Sequence, residues 1–280
     1  MLETKEISVL RSVIDAWKNE GLRVSFVPTM GALHQGHLSL IQNAALQSDR
    51  VVCSIFVNPT QFNDPQDYLK YPRTLESDIK LLQTTPCDLV FTPNTEIIYP
   101  SGASTDKVDF GALTSVLEAN HRPGHFDGVV EVVGRLFDCV DPDVALFGEK
   151  DFQQLAIIQE MCAQQERKVE IIPVEIVRED SGLAMSSRNK RLSAQGMQIA
   201  ASIYATIQVC KILCSYYSPK EVLEIGRKLI KAEESLELEY LAIINEDDWS
   251  FPEALEIGKN YRIVIAVWCE GIRLIDNIAV

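Results

Sequence analysis

The chain has 280 residues, 46% of them hydrophobic, and a formal net charge of −14. That length fits one large domain or two modest ones, and the apolar share can fill a core, so the chain reads as globular rather than disordered. The charge excludes a general nucleic-acid binder, which would display a basic surface, so a small anionic substrate would need a local basic pocket.

Leu10, Val13, Ile14 and Trp17 form one face of a first helix, ended by Gly21. Arg23 to Val27 is a short β-prone run that Pro28 is expected to stop. Met30-Gly31-Ala32-Leu33-His34-Gln35-Gly36-His37 then turns into a helix whose apolar positions are Leu38, Ile41 and Ala45. This strand, glycine-bearing turn and helix entrance read as a nucleotide phosphate site. A helix N-terminus offers unpaired N–H groups and partial positive charge, Gly36 allows close approach of the backbone, and His34 and His37 can add donors. Capping or metal-binding histidines are the plainer alternative. Only four histidines exist, at 34, 37, 121 and 125, and no zinc-type cysteine partners accompany them.

Val51 to Val57 is a continuous apolar run suited to burial on both faces of a parallel sheet, and it ends in Asn58-Pro59-Thr60-Gln61-Phe62. Ligands of open α/β sheets lie beyond the carboxyl ends of the strands, which makes Asn58 and Gln61 candidates; a plain Asn-Pro turn fits equally well. Leu75, Ile79 and Leu82 mark a helix, Asp88 to Phe91 a strand, Val129 to Val140 a long apolar helix and Ala145 to Phe147 another strand. That strand runs into Gly148-Glu149-Lys150-Asp151 and a helix carrying Gln154, a second phosphate-like segment with Lys150 as its cation, unless Lys150 is only a solvated loop lysine. Val169 to Val174 is a further strand. The alternation describes an α/β fold with a doubly wound parallel sheet.

A boundary is placed at Val177, giving a domain over 1–176 and a smaller α+β domain over 177–280. The second opens with a polar, flexible, locally basic stretch from Asp180 to Arg191, which includes Met185, Ser186, Ser187 and Arg188. Ser193 starts a helix, Ser218-Pro219-Lys220-Glu221 combines a capping box with proline at the first helical position, and strands are expected from Leu236, over Tyr261 to Trp268 and over Ile272 to Ile275. Between Tyr216 and Asn260 there are eleven acidic and five basic side chains, so an anion site is expected N-terminal to that stretch. Glu3, Lys5 and Glu6 interrupt the N-terminus, and no uninterrupted apolar run approaches about 18 residues, so neither an export signal nor a membrane span is expected. Seven scattered cysteines give no disulfide framework and suit a reducing cytoplasm, and Cys210 and Cys214 read as buried small apolar residues.

Seven motifs in order, Pro28 to His37, Phe56 to Phe62, Tyr71 to Thr74, Arg122 to Phe126, Phe147 to Asp151, Met185 to Asn189 and Arg273 to Asn277, span nearly the whole chain. In them the sequence resembles the pantothenate synthetases, or pantoate–β-alanine ligases, relatives of the class I aminoacyl-tRNA synthetases and nucleotidylyltransferases. The resemblance implies a Rossmann-like domain that binds ATP and pantoate, and a cytoplasmic homodimer. It implies that pantoate, ATP and Mg²⁺ give pantoyl adenylate and pyrophosphate, after which the amine of β-alanine displaces AMP. It makes His37 the proton donor of adenylation, with His34 and Lys150 beside it. ATP would be held by residues 30–37, Gly148, Glu149, Lys150, Asp151, Val177 and the segment Met185 to Arg188. Gln61 and Gln154 match the pantoate ligands, with Gln61 also facing β-alanine. No protein ligand of Mg²⁺ is assigned.

Three positions depart from the family pattern. Ser181 stands before Gly182 where aspartate is usual, Glu131 where threonine is common and Arg135 where lysine is common. The first is expected to alter loop mobility and the second to disturb a subunit contact, since this helix region contributes to the family's dimer interface. Two rivals are an adenylyltransferase acting on a phosphate, which would need a cationic acceptor pocket where Gln61 and Gln154 are neutral, and a non-catalytic nucleotide sensor, which would not need both histidines and Lys150.

Overall fold

Short apolar runs separated by helices bury both faces only inside a parallel sheet covered on each side. The computed structural model, which describes residues 1–102 and 107–280, contains that arrangement. β1 (Leu2–Thr4), β2 (Val24–Thr29), β3 (Arg50–Ile55), β4 (Leu89–Phe91), β5 (Val144–Gly148) and β6 (Glu170–Val174) form one sheet in the order β1-β4-β3-β2-β5-β6. Every pairing in it is parallel. Successive residues point to opposite faces. Phe26, Val52, Phe91 and Ala145 pack with the helices over 7–19, 125–140 and 152–164, while Val27, Cys53, Val90 and Leu146 pack with those over 35–47 and 75–82. The chain moves outward from β2 through β3 to β4 and then returns to place β5 on the other side of β2. The strand order therefore reverses between β2 and β5, the place where a doubly wound sheet opens its ligand crevice.

Two details differ from expectation. Pro28 does not stop β2, which continues to Thr29 in register with Ile55 of β3. Along β2, β5 pairs only with Ser25 and Phe26, so at Pro28 the strand carries a ladder on one side alone and the missing N–H is tolerated. β1 was not anticipated; it is a three-residue edge strand paired with β4.

The chain divides into two compact units, Met1–Glu149 with Gln153–Glu175, and Lys150–Phe152 with Ile176–Val280. The sequence-based boundary assigned Lys150 to the first, whereas here the three residues 150–152 go with the second. In that unit β7 (Leu236–Asn245), β8 (Tyr261–Cys269) and β9 (Ile272–Ala279) make an antiparallel sheet, with a bulge between Leu238 and Tyr240. Ala200, Ile203, Ile207 and Cys210 of the helix over 194–213 pack with Val222 and Ile230 of the helix over 219–231 and with Ile243, Ile263 and Ile265 of the sheet. The helix over 194–213 is long and apolar enough to cross a membrane, but this face of it is buried in the unit's own core. Ser218 accepts from the Glu221 N–H and Glu221 accepts from the Ser218 N–H, the reciprocal cap expected from the sequence.

None of the seven cysteines is in a disulfide. Burial pushes the thiol of Cys87 up to about 12 and that of Cys210 up to about 11, so these groups behave as small apolar side chains.

The helix over 125–140 lies close to the turn after β3, and Gly128 is the point of contact. A Cβ there would meet the backbone carbonyl of Thr60 at 2.5 Å and the nitrogen of Gln61 at 2.7 Å. Six residues on, a Cβ at Gly134 would meet only Arg167 at 3.5 Å, an ordinary contact. Gly128→Ala is expected to lower stability by about 1–3 kcal/mol through overpacking. Gly134→Ala is expected to raise it by up to about 1 kcal/mol through helix propensity. Urea unfolding of the two variants checks the opposite signs.

Candidate active site

The turn between β2 and the helix over 35–47 needs two consecutive residues in the left-handed region, Gly31 at φ 76° and Ala32 at φ 51°. Such a conformation aims neighbouring N–H groups at one point and makes a concave anion site. The carboxylate of Asp78 fills it. Asp78 Oδ2 accepts from the Ala32 N–H at 2.8 Å, Oδ1 from the Leu33 N–H at 2.9 Å, and both from the Thr74 hydroxyl. Asp78 is 3% exposed, so its charge is balanced by these donors. The amides of Ala32 and Leu33 thus hold a protein carboxylate. Sequence reading passed over Asp78, yet a signal was present. Leu75, Asp78, Ile79 and Leu82 share one helical stripe, where an acidic residue marks a buried carboxylate with fixed partners.

Leu33 leads into His34, the residue that caps the helix. His34 Nδ1 accepts from the Gly36 N–H at 3.1 Å, and His37 Nδ1 accepts from the His34 N–H at 3.3 Å. The rings lie 4.1 Å apart. A nitrogen that accepts carries no proton, so in each neutral ring Nε2 is the N–H donor. Capping and anion binding are therefore compatible, each using a different ring nitrogen. Met30, Gly31, Gln35 and Gly36 complete this segment.

Gln61 ends the one-turn 3₁₀ helix after β3 and is 8% exposed. Its amide has one allowed orientation. Asn58 Oδ1 accepts from the Thr60 N–H and from the Tyr99 hydroxyl, so Asn58 Nδ2 donates, to Gly128 O at 3.1 Å and to Gln61 Oε1 at 3.2 Å. Gln61 Nε2 then faces the Met30 sulfur at 3.1 Å, a weak acceptor at the end of β2. Asn58 both makes the turn and orients Gln61. His125 holds the same turn from behind. Arg122 donates to its Nε2 at 2.9 Å, so Nδ1 carries the proton and donates to Gln61 O at 2.7 Å. Arg122 and His125 consequently support the Gln61 turn. Gln154 is half-buried and its side chain makes no hydrogen bond to protein among the described residues, whereas the side chain of its neighbour Gln153 is tied to Leu113 O, Val116 O and the Glu118 N–H.

The second unit holds the remaining candidates other than Gly148 and Glu149. The Lys150 side chain is 18% exposed and has Asp151 at 3.5 Å, so it is not the solvated loop lysine of the plainer reading. Val177 O accepts from the Met185 N–H. Ser186 caps a 3₁₀ turn over 187–191 by accepting from the Arg188 N–H, and Ser187 is buried. At the base of this segment Arg178 makes a two-pronged ion pair with Asp276 at 2.6 and 2.9 Å, bonds Gly182 O and lies over the Tyr204 ring at 3.6 Å. Gly182, at φ 90°, passes so close to Tyr204 that a Cβ would sit 2.6 Å from the ring. Gly148 and Glu149 stay with the end of β5.

The family model described as pantoate-beta-alanine ligase matches residues 3–279. The chain belongs to the pantoate–β-alanine ligase family. It is 46% identical over 276 residues to the pantothenate synthetase of Christiangramia forsetii, covering 98% of each chain. It is 45% identical to the pantoate–beta-alanine ligase of Schizosaccharomyces pombe over 280 residues, covering 98% of this chain and 97% of the relative. The crystal structure of the Thermus thermophilus pantothenate synthetase superposes with a TM-score of 0.92 at 38% identity, covering 99% of both chains. That of the Francisella tularensis pantoate-beta-alanine ligase, complexed with beta-gamma ATP and beta-alanine, gives 0.82 at 33% identity over 99% of this chain and 97% of that one.

Two of the departures from this family's pattern answer each other. Glu131 and Arg135 form an i,i+4 ion pair at 3.1 Å, and Arg135 also bonds Ile98 O and lies 5.0 Å over the Tyr99 ring. The pair is engaged within the chain.

Asp78→Asn replaces one acceptor oxygen by a donor that must face either Ala32 N–H, Leu33 N–H or a group bonded to them. It is expected to cost about 1–3 kcal/mol of stability and to reduce adenylation. Urea denaturation checks the first and pyrophosphate release the second; an unchanged unfolding midpoint would show that the turn holds without the carboxylate.

Proposed function

We infer that this chain is an AMP-forming acid–amino acid ligase that condenses pantoate with β-alanine to pantothenate at the expense of ATP. The reaction passes through pantoyl adenylate. A pantoate carboxylate oxygen attacks the α-phosphorus of ATP and pyrophosphate leaves; the β-alanine amine then attacks the acyl carbon, AMP leaves, and the amine proton is lost. The observation that carries this reading is the full-length family match, on a chain whose two histidines cap a helix through Nδ1 and keep Nε2 as donor.

The residue roles are proposals. A carboxylate with a pKa of about 4 is already ionised at neutral pH, so its attack needs alignment and neutralisation of charge rather than a general base. His34 and His37 offer Nε2 donors to phosphate oxygens where the helix N-terminus adds partial positive charge, and His37 is the donor of the adenylation step, through a hydrogen bond from its neutral ring that stabilises the charge developing on the leaving pyrophosphate. Lys150 balances charge that develops at the phosphates, and residues 30–37, Gly148, Glu149, Asp151, Val177, Met185, Ser186, Ser187 and Arg188 serve ATP. Gln61 and Gln154 hold pantoate, and Gln61 also meets β-alanine. An amide suits an acid that brings its own negative charge, because it can bond hydroxyl and carboxylate without adding or repelling charge. This favours a carboxylate over a phosphate as acceptor.

Mg²⁺ accompanies ATP in this reading. Among the described residues no three His, Cys, Asp or Glu side chains converge on one point. A magnesium ion that keeps several waters and binds through phosphates fits such a chain as part of the nucleotide. A cytoplasmic homodimer completes the proposal: seven thiols outside any disulfide suit a reducing compartment, and the acidic charge gives nucleic acid no purchase.

Incubation with ATP, Mg²⁺, pantoate and β-alanine is expected to yield AMP, pyrophosphate and pantothenate, whereas ADP would overturn the adenylate route. Gln61→Ala and Gln154→Ala are each expected to weaken pantoate use by roughly 1.5–3 kcal/mol. ATP affinity measured without pantoate should stay nearly unchanged. Loss of ATP binding with normal pantoate dependence would move both glutamines to the nucleotide.

A further inference from the structure

The motif Arg273 to Asn277 at the end of the chain is absorbed by none of the roles above. Its last residue is 3% exposed and is bonded at both ends of its amide. Arg262, on the neighbouring strand β8, donates from Nη1 to Asn277 Oδ1 at 2.7 Å, so Nδ2 is left to donate, and it reaches Lys150 O at 3.0 Å. The same Arg262 lies 3.9 Å over the Phe152 ring and bonds Glu246 Oε1 through Nε at 2.7 Å. Phe152 is stacked in turn on the buried Trp249. The segment 150–152 is therefore held twice, by its backbone at Lys150 and by its ring at Phe152. One buried guanidinium organises both attachments.

We propose that Asn277, oriented by Arg262, is a positioning residue for Lys150. A lysine has four rotatable bonds beyond Cα, so its ammonium can be aimed only if the backbone that carries it is fixed. The bond from Asn277 to the Lys150 carbonyl sets the plane of the peptide that leaves Lys150. The ring clamp at Phe152 sets the chain direction two residues on. The role rests on the reading that Lys150 balances charge in the adenylation step, and misplacing such a group by about 1 Å can cost on the order of 10²-fold in rate.

Asn277→Asp is the informative variant. It is nearly isosteric and keeps an oxygen for Arg262, but it turns a second oxygen, with no proton to donate, toward the Lys150 carbonyl. With the full chain, ATP, Mg²⁺, pantoate and saturating β-alanine, the kcat of pyrophosphate release is expected to fall by about 10- to 100-fold, with KM for ATP and pantoate within about twofold. In a Lys150→Ala background the same change is expected to have no further effect, because groups that act as a unit are non-additive. Circular dichroism and the melting temperature check that the fold is retained. If Asn277→Asp does not fold, Arg262→Lys makes the same test, since it keeps a cation beside Glu246 while losing the fork that holds Asn277. An equal loss with and without Lys150, or no loss at all in a chain whose rate depends on Lys150, would overturn the proposal. A normal rate for Lys150→Ala alone would instead remove the underlying role of the lysine, and is read without any Asn277 variant.

Discussion

The turn after β2 depends on a buried carboxylate. Gly31 and Ala32 both lie at positive φ, and Ala32 tolerates that conformation because the two amides it aims inward meet Asp78. An alanine there is strained by about 1–2 kcal/mol, while hydrogen bonds to a charged acceptor return roughly 1.5–3 kcal/mol each. The histidines follow from this turn. Leu33 is fixed through its N–H, His34 follows it as the helix cap, and His37 completes the cap one turn later. An anion of the protein thus shapes the loop that leads into the two imidazoles.

The Gln61 turn is built on the same logic with neutral groups. Backbone N–H and C=O have fixed polarity, and they settle each side-chain amide in sequence. Thr60 N–H fixes Asn58, Gly128 O agrees with it, and Asn58 then fixes Gln61. Gly128 is needed because this network requires the helix over 125–140 to approach the turn within backbone contact. His125 closes the arrangement by bonding Gln61 O.

Much of this was legible in the sequence because it is local. Alternating apolar runs and helical stripes gave the sheet and its covering helices, and caps such as Ser218-Pro219-Lys220-Glu221 appear as the chain spells them. The histidine segment was legible for the same reason, since a strand, a glycine turn and a helix entrance are contiguous. What was missed is set by partners distant in sequence. Asp78 acts 45 residues away on Leu33, and Asn277 acts 127 residues away on Lys150. Pro28 was misread as a strand end because its tolerance depends on how far β5 runs beside β2. Glu131 and Arg135 each looked like a departure until their one-turn spacing on a helix made them an ion pair.

The acidic charge of the chain fits this economy of cations. A chain at −14 with an anionic pair of substrates, a nucleotide and an acid, cannot rely on a long-range attractive field. Short-range donors of fixed direction are the alternative, and they act only on a ligand already in place. In the proposed roles, the helix N-terminus at His34 and the neutral amide of Gln61 are of this kind. Among the cations, several are committed to protein partners: Arg178 to Asp276, Arg262 to Glu246 and Asn277, Arg122 to Glu118 and His125. Such committed cations hold loops in shape. Lys150 stands apart from them because its ion-pair neighbour Asp151 is adjacent in the chain and 3.5 Å away, a long contact compared with the 2.6 Å of Arg178 and Asp276. In the proposed role this long contact leaves the ammonium able to exchange Asp151 for a phosphate, while the bond from Asn277 holds the backbone rather than the ammonium.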